Sequence, residues 1–462
     1  MLLVVALPAT AQWQFMGLFP PAGLAEGDTL ETGNGMHGIT VTPDNRVWMH
    51  NYYSYARDSI LVPDYLIRNK ANTADSTTEA RYVAVRALHV YNADGTPAPF
   101  SPIKVVNIGS KLDTIGFWRV KSATLGMVYS SSGSPNTNRG LRYGAGKVYA
   151  SIFGQVYAIN YQDGVTATKF IPDSANSGVA VGVDSDGNFY WHRVVAGGQP
   201  VKIYDNTGNF IGNALDSATG FSRTVLAKGS SGGPTDVYFS DYTSLRVLQL
   251  HSDNGILGPF TVADTILKGF ACESMEFNPK TGHLWASAGS PLTPAQAPYT
   301  TGTHYAYNTT TKTIVDSINW VWSSSADERN RGIAFSTGGD TAYICVFGGT
   351  AKVVPGVRRY RKVVTAVETI DNTIPTGYTI EQNYPNPFNP STEIRFTMAK
   401  AGVATIVVYD MLGREIGVLI NEFVQAGTHK TTFLGEGLPS GTYIYTLYAN
   451  GVTVSKKMSL LK

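Results

Sequence analysis

The stretch "RGLRYGAGKVYASIFGQVYAINY" (139–161) decides the fold. Apolar and polar residues alternate on either side of Gly144-Ala145-Gly146. A period of two marks half-buried strands, and the glycines supply the positive φ angles that a tight hairpin needs. A third aromatic-rich strand follows, so the stretch reads as an antiparallel meander.

The same pattern returns along residues 38–363. It is plain in "HGITVTPDNRVWMHNY" (37–52), "SGVAVGVDSDGNFYWHRV" (177–194) and "RGIAFSTGGDTAYICVFG" (331–348). It is weaker in "SRTVLAKGSSGGPTDVYFSDYTSLRVLQLH" (222–251) and "ESMEFNPKTGHLWASAG" (273–289), whose third strand is "THYAYNT" (303–309). These make six units, the first with a long insertion between its second and third strands. Small sheets repeated at this spacing cover themselves by stacking radially, which gives a β-propeller. The last unit stops after its third strand near "VRRYRKVV" (357–364), and "WQFMGLF" (13–19) is expected to supply the fourth and close a six-bladed ring. A seven-bladed ring stays open, because "IGFWRVKSATLGMVYSS" (115–131) is long enough to hold strands. The unit resembles loosely the NHL and lactonase-type propellers, with no single signature intact.

Composition agrees with an all-β class: charged residues are only 15%, while 48 glycines and 26 tyrosines favour turns and pleated surfaces over helices. A formal net charge of +2, with no run rich in Lys and Arg, argues against nucleic-acid partners. The opening "MLLVVALPATAQWQ" is an apolar run closed by Ala9-Thr10-Ala11, the small-x-small pattern of a signal peptidase site. Residues 1–11 thus read as a signal peptide, with Gln12 the first mature residue. The basic segment that normally precedes such a run is missing, which suggests a truncated start, and a buried amino-terminal strand is the competing reading. No other stretch has the apolar length of a membrane span. Cys272 and Cys345 are the only cysteines; a single disulfide and two buried thiols both stay open.

After a polar connector (366–377) the pattern changes to sandwich-type strands, "TEIRFTMA", "GVATIVVYDMLGREIGVLI", "THKTTFLGEGLPSGTYIYTLYANG" and "VTVSKKMSLLK". They are preceded by "NYPNPFNPST" (383–392), where Pro385, Pro387 and Pro390 remove ladder donors and bias Tyr384, Asn386 and Asn389 toward extended backbone. Such an edge resists wrong pairing. Asn383 and its neighbours can satisfy their own backbone, and Phe388 offers an apolar anchor. Together with "VYDMLGREI", which holds Gly413, "AGTHKTTF", "LPSGTYIYTL", which holds Gly441, and "KKMSLLK", which holds Lys457, Met458 and Leu460, this motif set resembles the type A C-terminal sorting domain of the type IX secretion system of Bacteroidetes. The resemblance covers residues 378–462. It implies an immunoglobulin-like sandwich, export through the periplasm to the cell surface or medium, and as partners an outer-membrane translocon and a sortase that can join the cargo to lipopolysaccharide. The propeller, residues 12–365, would be that cargo and is expected to fold without the sorting domain.

The propeller carries none of the strong catalytic signatures: no GxSxG elbow between a strand and a helix, no HExxH helix, no Walker loop and no calcium loop of EF-hand type. No cofactor is implied. "DSDG" (184–187) is most simply a hairpin turn, with calcium as the competing reading. The position before each innermost strand opens onto the central axis, and there the sequence offers His37, Arg139, Ser177, Arg223, Glu273 and Arg331. Converging arginines could grip a carboxylate, sulfate or phosphate. The blander expectation is that Glu273 pairs with Arg331 or Arg223 and plugs the tunnel. Tyr52, Tyr53, Tyr55, Trp320 and Trp322 fall near loops, where rings could stack on sugars.

The units are separated by Asp followed by Ser or Thr: Asp28, Asp113, Asp173, Asp216, Asp264 and Asp316, with further cases at Asp58, Asp75 and Asp340. These triplets resemble O-glycosylation sites of Bacteroidetes exports; turn formation explains them equally well. Two functions follow. One is a non-enzymatic binding module for extracellular glycan or protein, and the other an extracellular hydrolase or lyase acting on carbohydrate or lactone.

Overall fold

The computed structural model describes the chain from Thr10 to Lys462, apart from residues 21–35, 52–58, 64–66, 69–79, 85–86, 116–117, 123–125, 131–137, 153, 173–177, 195–196, 288–295, 297, 301, 320–327, 349–355, 366–367, 372–374 and 437. Residues 1–9 of the expected signal peptide lie outside the described residues, as do Ser177, Tyr52, Tyr53, Tyr55, Trp320, Trp322, Asp28, Asp58, Asp75 and Asp173. The backbone of Arg139 is described within a strand, but its side chain is not.

The protein is all-β, a propeller followed by a sandwich. Blade 1 holds Met36–Val41, Val47–Asn51 and Leu88–Tyr91, and its fourth position is two isolated bridges, Leu88 to Ile103 and Tyr91 to Pro97. Blade 2 is Asn138–Gly144, Lys147–Ile152, Gln155–Asn160 and Thr166–Phe170. Blades 3, 4 and 5 run from Gly182–Val183 to Phe210–Ala218, from Ser222–Lys228 to Thr261–Ile266, and from Ser274–Phe277 to Thr313–Asn319, each with four antiparallel strands. Blade 6 is Glu328–Phe335, Thr341–Gly348 and Gly356–Thr365, and Thr10–Phe19 pairs with the last of these as its outermost strand. The first strand of the described chain thus closes the ring.

The innermost strands touch in a complete cycle, blade 1 to 2 to 3 and on through 6 back to 1. Small residues permit this approach. A Cβ on Gly140 would lie 2.1 Å from that of Ala180, so nothing larger than glycine fits between blades 2 and 3. Between blades 3 and 4 the backbones come close enough for Val225 N–H to donate to Ala180 O at 3.2 Å.

Residues 115–131 do contain strands, Trp118–Ser122 and Gly126–Ser130, but they form a hairpin whose second strand pairs in parallel with Ile67–Arg68 of the blade 1 insertion. They are no seventh blade, and six units close the ring. The insertion also holds its own hairpin, Ser59–Pro63 with Ala80–Ala84. The blade 1 insertion leaves and rejoins the ring at the end where the innermost strands begin. Cys272 and Cys345 are free thiols buried in separate clusters, so they form no disulfide.

Of the described Asp markers, Asp113, Asp216, Asp264 and Asp316 sit on outer strands, and three of them make ion pairs to a lysine. Asp113 accepts from Lys169 Nζ of blade 2 at 3.0 Å, Asp264 from Lys312 of blade 5 at 2.7 Å, and Asp316 from Lys362 of blade 6 at 2.8 Å. Asp316 also takes the Trp13 indole N–H at 3.0 Å, joining the closure strand to blade 5. Partly exposed pairs of this kind are each worth under about 1 kcal/mol, so they set register more than they add stability.

The sandwich has two four-stranded sheets. One runs Glu368–Asp371, Gly427–Leu434, Ser391–Met398, Thr379–Ile380, and the other Glu415–Val424, Gly402–Asp410, Gly441–Ala449, Val452–Leu460. Residues 368–371 of the polar connector therefore extend a sheet rather than only linking two bodies. Between the sheets lie Ile394, Phe396, Ile406, Val408, Leu419, Tyr445 and Leu447, with Phe15 of the closure strand packed against the cluster's side. Phe15 also meets Tyr360 at 5.6 Å, and Arg361 pairs with Glu436 of the sandwich at 3.1 Å.

Candidate functional site

The axis is built from the residues that precede or begin each innermost strand. Glu273 and Arg331, from blades 5 and 6, form a direct ion pair with side chains 1% and 6% exposed. Arg223 of blade 4 approaches the same carboxylate from the other side, its Nε 3.7 Å from Oε2. Glu273 is thus held between two guanidiniums. The Arg331 backbone is fixed in turn, since Ser287 Oγ donates to its carbonyl at 2.7 Å. His37 is buried at the corresponding position of blade 1. Of the expected axial set, the structure brings Arg223, Glu273 and Arg331 together.

Two further residues belong to the axis and escaped the sequence reading. Arg142, on the innermost strand of blade 2, pairs directly with Glu276 on that of blade 5 and donates through Nη2 to Met275 O at 2.9 Å. Blades 2 and 5 stand opposite each other in a six-membered ring, so this pair crosses the centre. The signal was in the spacing: Arg142 lies three residues beyond Arg139, and Glu276 three beyond Glu273. Two ionic layers therefore fill the axis, and buried charges paired this way trade desolvation against attraction at close range.

Among the described side chains of this set, Arg223 is 20% exposed and Glu276 19%, and the others are more deeply buried. The Arg223 guanidinium lies 4.7 Å from the Tyr242 ring centre, a cation–π contact that fixes its direction. Tyr242 N–H donates to Phe221 O at 3.0 Å, and Phe221 N–H to Thr243 Oγ1 at 2.9 Å. The Phe221 ring is 46% exposed beside them.

Asp184 makes the "DSDG" segment a hairpin turn. Its Oδ1 accepts from the N–H groups of Asp186 and Asn188 at 3.0 and 2.9 Å, and its Oδ2 from Asn188 Nδ2 at 2.7 Å. Asp186 Oδ2 in turn accepts from Ser231 N–H at 2.7 Å, tying blade 3 to blade 4. A cavity of about 430 Å³ lies at the opposite end of the ring, between Asn45, the 336–341 turn, Arg359, Arg361 and Glu436 of the sandwich. It is remote from the mouth.

In the sandwich, the proline-rich segment is clipped to the last strand. Phe388 is buried, its N–H donates to Ser459 O at 2.9 Å, and Leu461 N–H donates back to Phe388 O at 3.1 Å. Asn386 Oδ1 accepts from Ser459 N–H at 2.9 Å. Asn383 Nδ2 donates to Pro385 O and Thr392 Oγ1 at 3.0 and 2.9 Å, while its own N–H is taken by Tyr445 Oη at 2.8 Å. Tyr384 stands out in solvent. Gly413 adopts φ 77° in the turn that Asp410 closes, a conformation open to few side chains. Gly441 opens the strand that carries Tyr443 and Tyr445. Met458 and Leu460 are fully buried, whereas Lys456, Lys457, Leu461 and Lys462 face solvent. Closure of the core by Met458 and Leu460 leaves the lysines and Leu461 as the part of the tail open to a partner.

Residues 382–460 match the family model of the secretion system C-terminal sorting domain. No curated protein matches the chain. Among solved structures it is similar to Sqt1 of Chaetomium thermophilum bound to the N-terminus of ribosomal protein L10, at 10% identity and TM-score 0.39, over 76% of this chain and 100% of that one. It is also similar to a structural-genomics protein of unknown function from Bacteroides thetaiotaomicron, at 10% identity and TM-score 0.31, over 72% of this chain and 100% of the other. The fold and the tail define an exported β-propeller. The tail is a type IX sorting domain, which engages that secretion machinery and indicates delivery through the periplasm to the cell surface or the medium.

Proposed function

We propose that the propeller is the working part of a type IX cargo and acts outside the cell as a non-enzymatic binding module for glycan or protein. In this reading residues 1–11 are a signal peptide, residues 12–365 the binding domain, and residues 378–462 the sorting domain. A sortase separates the last from the cargo, which then reaches the medium or is joined to lipopolysaccharide. The binding face is the axial mouth, with His37, Arg139, Arg223, Glu273 and Arg331.

The observation that carries the reading is the state of Glu273. Among the described residues that precede the innermost strands it is the one carboxylate that could ligate a metal in a hydrolase, and Arg331 and Arg223 hold it from both sides. A carboxylate committed to two guanidiniums supports recognition over metal-assisted hydrolysis. Full-length protein tested on glycan and surface-protein arrays, with parallel carbohydrate and lactone hydrolysis assays, is expected to show saturable binding. Hydrolysis abolished by a chelator would refute the reading.

A further inference from the structure

Charge at the axis does not balance. Among the described side chains there, three guanidiniums (Arg142, Arg223, Arg331) meet two carboxylates (Glu273, Glu276). Arg142 and Glu276 satisfy each other across the centre, and Arg331 takes the close contact with Glu273. The surplus falls on Arg223. At 3.7 Å its Nε is beyond hydrogen-bond reach of Glu273, and its terminal nitrogens make no hydrogen bond among the described residues.

Arg223 is nevertheless held in place. Stacking on Tyr242 and attraction to Glu273 fix its plane, and the backbone of Tyr242 is tied to Phe221, whose N–H is tied to Thr243. The mouth of blade 4 therefore presents a pre-set guanidinium and an exposed aromatic ring on one lead-in, with the exposed Thr243 of the adjoining turn beside them. A planar guanidinium with free terminal nitrogens matches the two oxygens of a carboxylate or sulfate, and an exposed ring offers a face for a pyranose. We infer that this mouth binds an acidic saccharide, its carboxylate or sulfate on Arg223 and its sugar ring against Phe221. The inference rests on the binding-module reading and narrows its ligand class.

The test uses full-length protein and four probes: polygalacturonate for carboxylate, heparin for sulfate, neutral dextran, and poly-glutamate. Saturable binding to polygalacturonate or heparin, weakening with salt, and none to dextran is expected. Arg223→Gln should weaken it about tenfold or more, the loss of one charge-assisted contact, with Arg223→Lys intermediate because a point charge lacks the fork. Phe221→Ala should weaken it further while leaving the salt dependence unchanged. Glu273 keeps Arg331 in the Arg223 variants, and an unchanged melting profile confirms the fold. Tighter binding of poly-glutamate than of either acidic polysaccharide would overturn the saccharide class. Equal affinity of parent and Arg223→Gln would overturn the assignment of Arg223, and failure of all four probes would overturn acidic-ligand binding. A neutral glycan or protein found on the arrays would then keep the broader reading alive, whereas blank arrays would end both.

Discussion

The crossing pair Arg142–Glu276 gives the sharpest test of how the ring is held. In Glu276→Leu the Arg142 guanidinium, 5% exposed, keeps only Met275 O as a partner, and the charge stays buried. Breaking one side of a buried pair costs about 3–5 kcal/mol, and the lower figure applies because Glu276 itself is 19% exposed. A ring of about 350 residues has an unfolding entropy near 0.7 kcal/mol/K, so a loss of about 3 kcal/mol lowers its melting temperature by about 4 °C. The double variant Arg142→Met/Glu276→Leu removes both charges and fills similar volume, and should recover at least half of that. Differential scanning calorimetry resolves the propeller transition, with the sandwich transition as an internal control. A single variant that melts within 1 °C of the parent, or a double variant as unstable as the single, would show that the pair does not span the axis as described.

Acid should unfold the propeller before the sandwich. Burial pulls His192 down to about 4 and His304 to about 3. With depressed folded values, the unfolded chain takes the proton first. Stability is thus complete above about pH 6.5 and falls as pH drops toward 4, by up to about 1.4 kcal/mol per pH unit for each histidine. Melting temperatures between pH 7.5 and 4.5 check this, and His192→Asn, which keeps a donor for Pro200 O, should flatten the slope. In the sandwich, Tyr445→Phe removes the acceptor of Asn383 N–H and the donor to Glu381 O, and should cost about 1–2 kcal/mol. Hydrogen exchange at residues 383–388 should speed up while the propeller is unchanged. For export, Lys456→Glu/Lys457→Glu should leave the sandwich folded and trap the protein in the periplasm, whereas Leu460→Ala should lower its stability by about 2–5 kcal/mol. Surface delivery of the charge-reversed chain at the parent's level would remove those lysines from the sorting contact.

Much of this architecture was legible because it is local. Each hairpin announces itself by alternation and a turn, and the missing fourth strand of the last unit pointed to Trp13–Phe19. Residues 115–131 show the limit of the same signal: alternation identified strands there but not their partner, which is Ile67–Arg68, some sixty positions earlier. The axis divides the same way. Glu273, Arg331 and Arg223 could be placed from their position before innermost strands, whereas Arg142 and Glu276 meet across 134 residues and only a six-bladed closure sets them opposite each other. The polar connector shows no strand signal because Glu368–Asp371 is too short for a period to show, and its partner, Gly427–Leu434, lies in the sandwich.

The recurring Asp-Ser/Thr marker takes its meaning from the outer strands it occupies. An outer strand leaves one row of backbone donors and acceptors unpaired, and several of these carry exposed apolar side chains: Phe210 and Ile211 in blade 3, Val262 in blade 4, Ile314 and Val315 in blade 5. Left flat, such edges would pair with other chains. Each of the three carries a register shift, at Val201/Lys202, Gln249/Leu250 and Ala306/Tyr307, which twists the edge and breaks the template. Asp216, Asp264 and Asp316 stand just past these shifts, and the last two anchor the bent strand to a lysine of the next blade. Two further outer strands are covered. Val105–Ile108 pairs onto the outer strand of blade 2, and Glu415–Val424 of the sorting domain lies against the closure strand of blade 6. The positions of these three markers thus follow from where an edge must be bent and fastened, whether or not the neighbouring hydroxyls carry sugars.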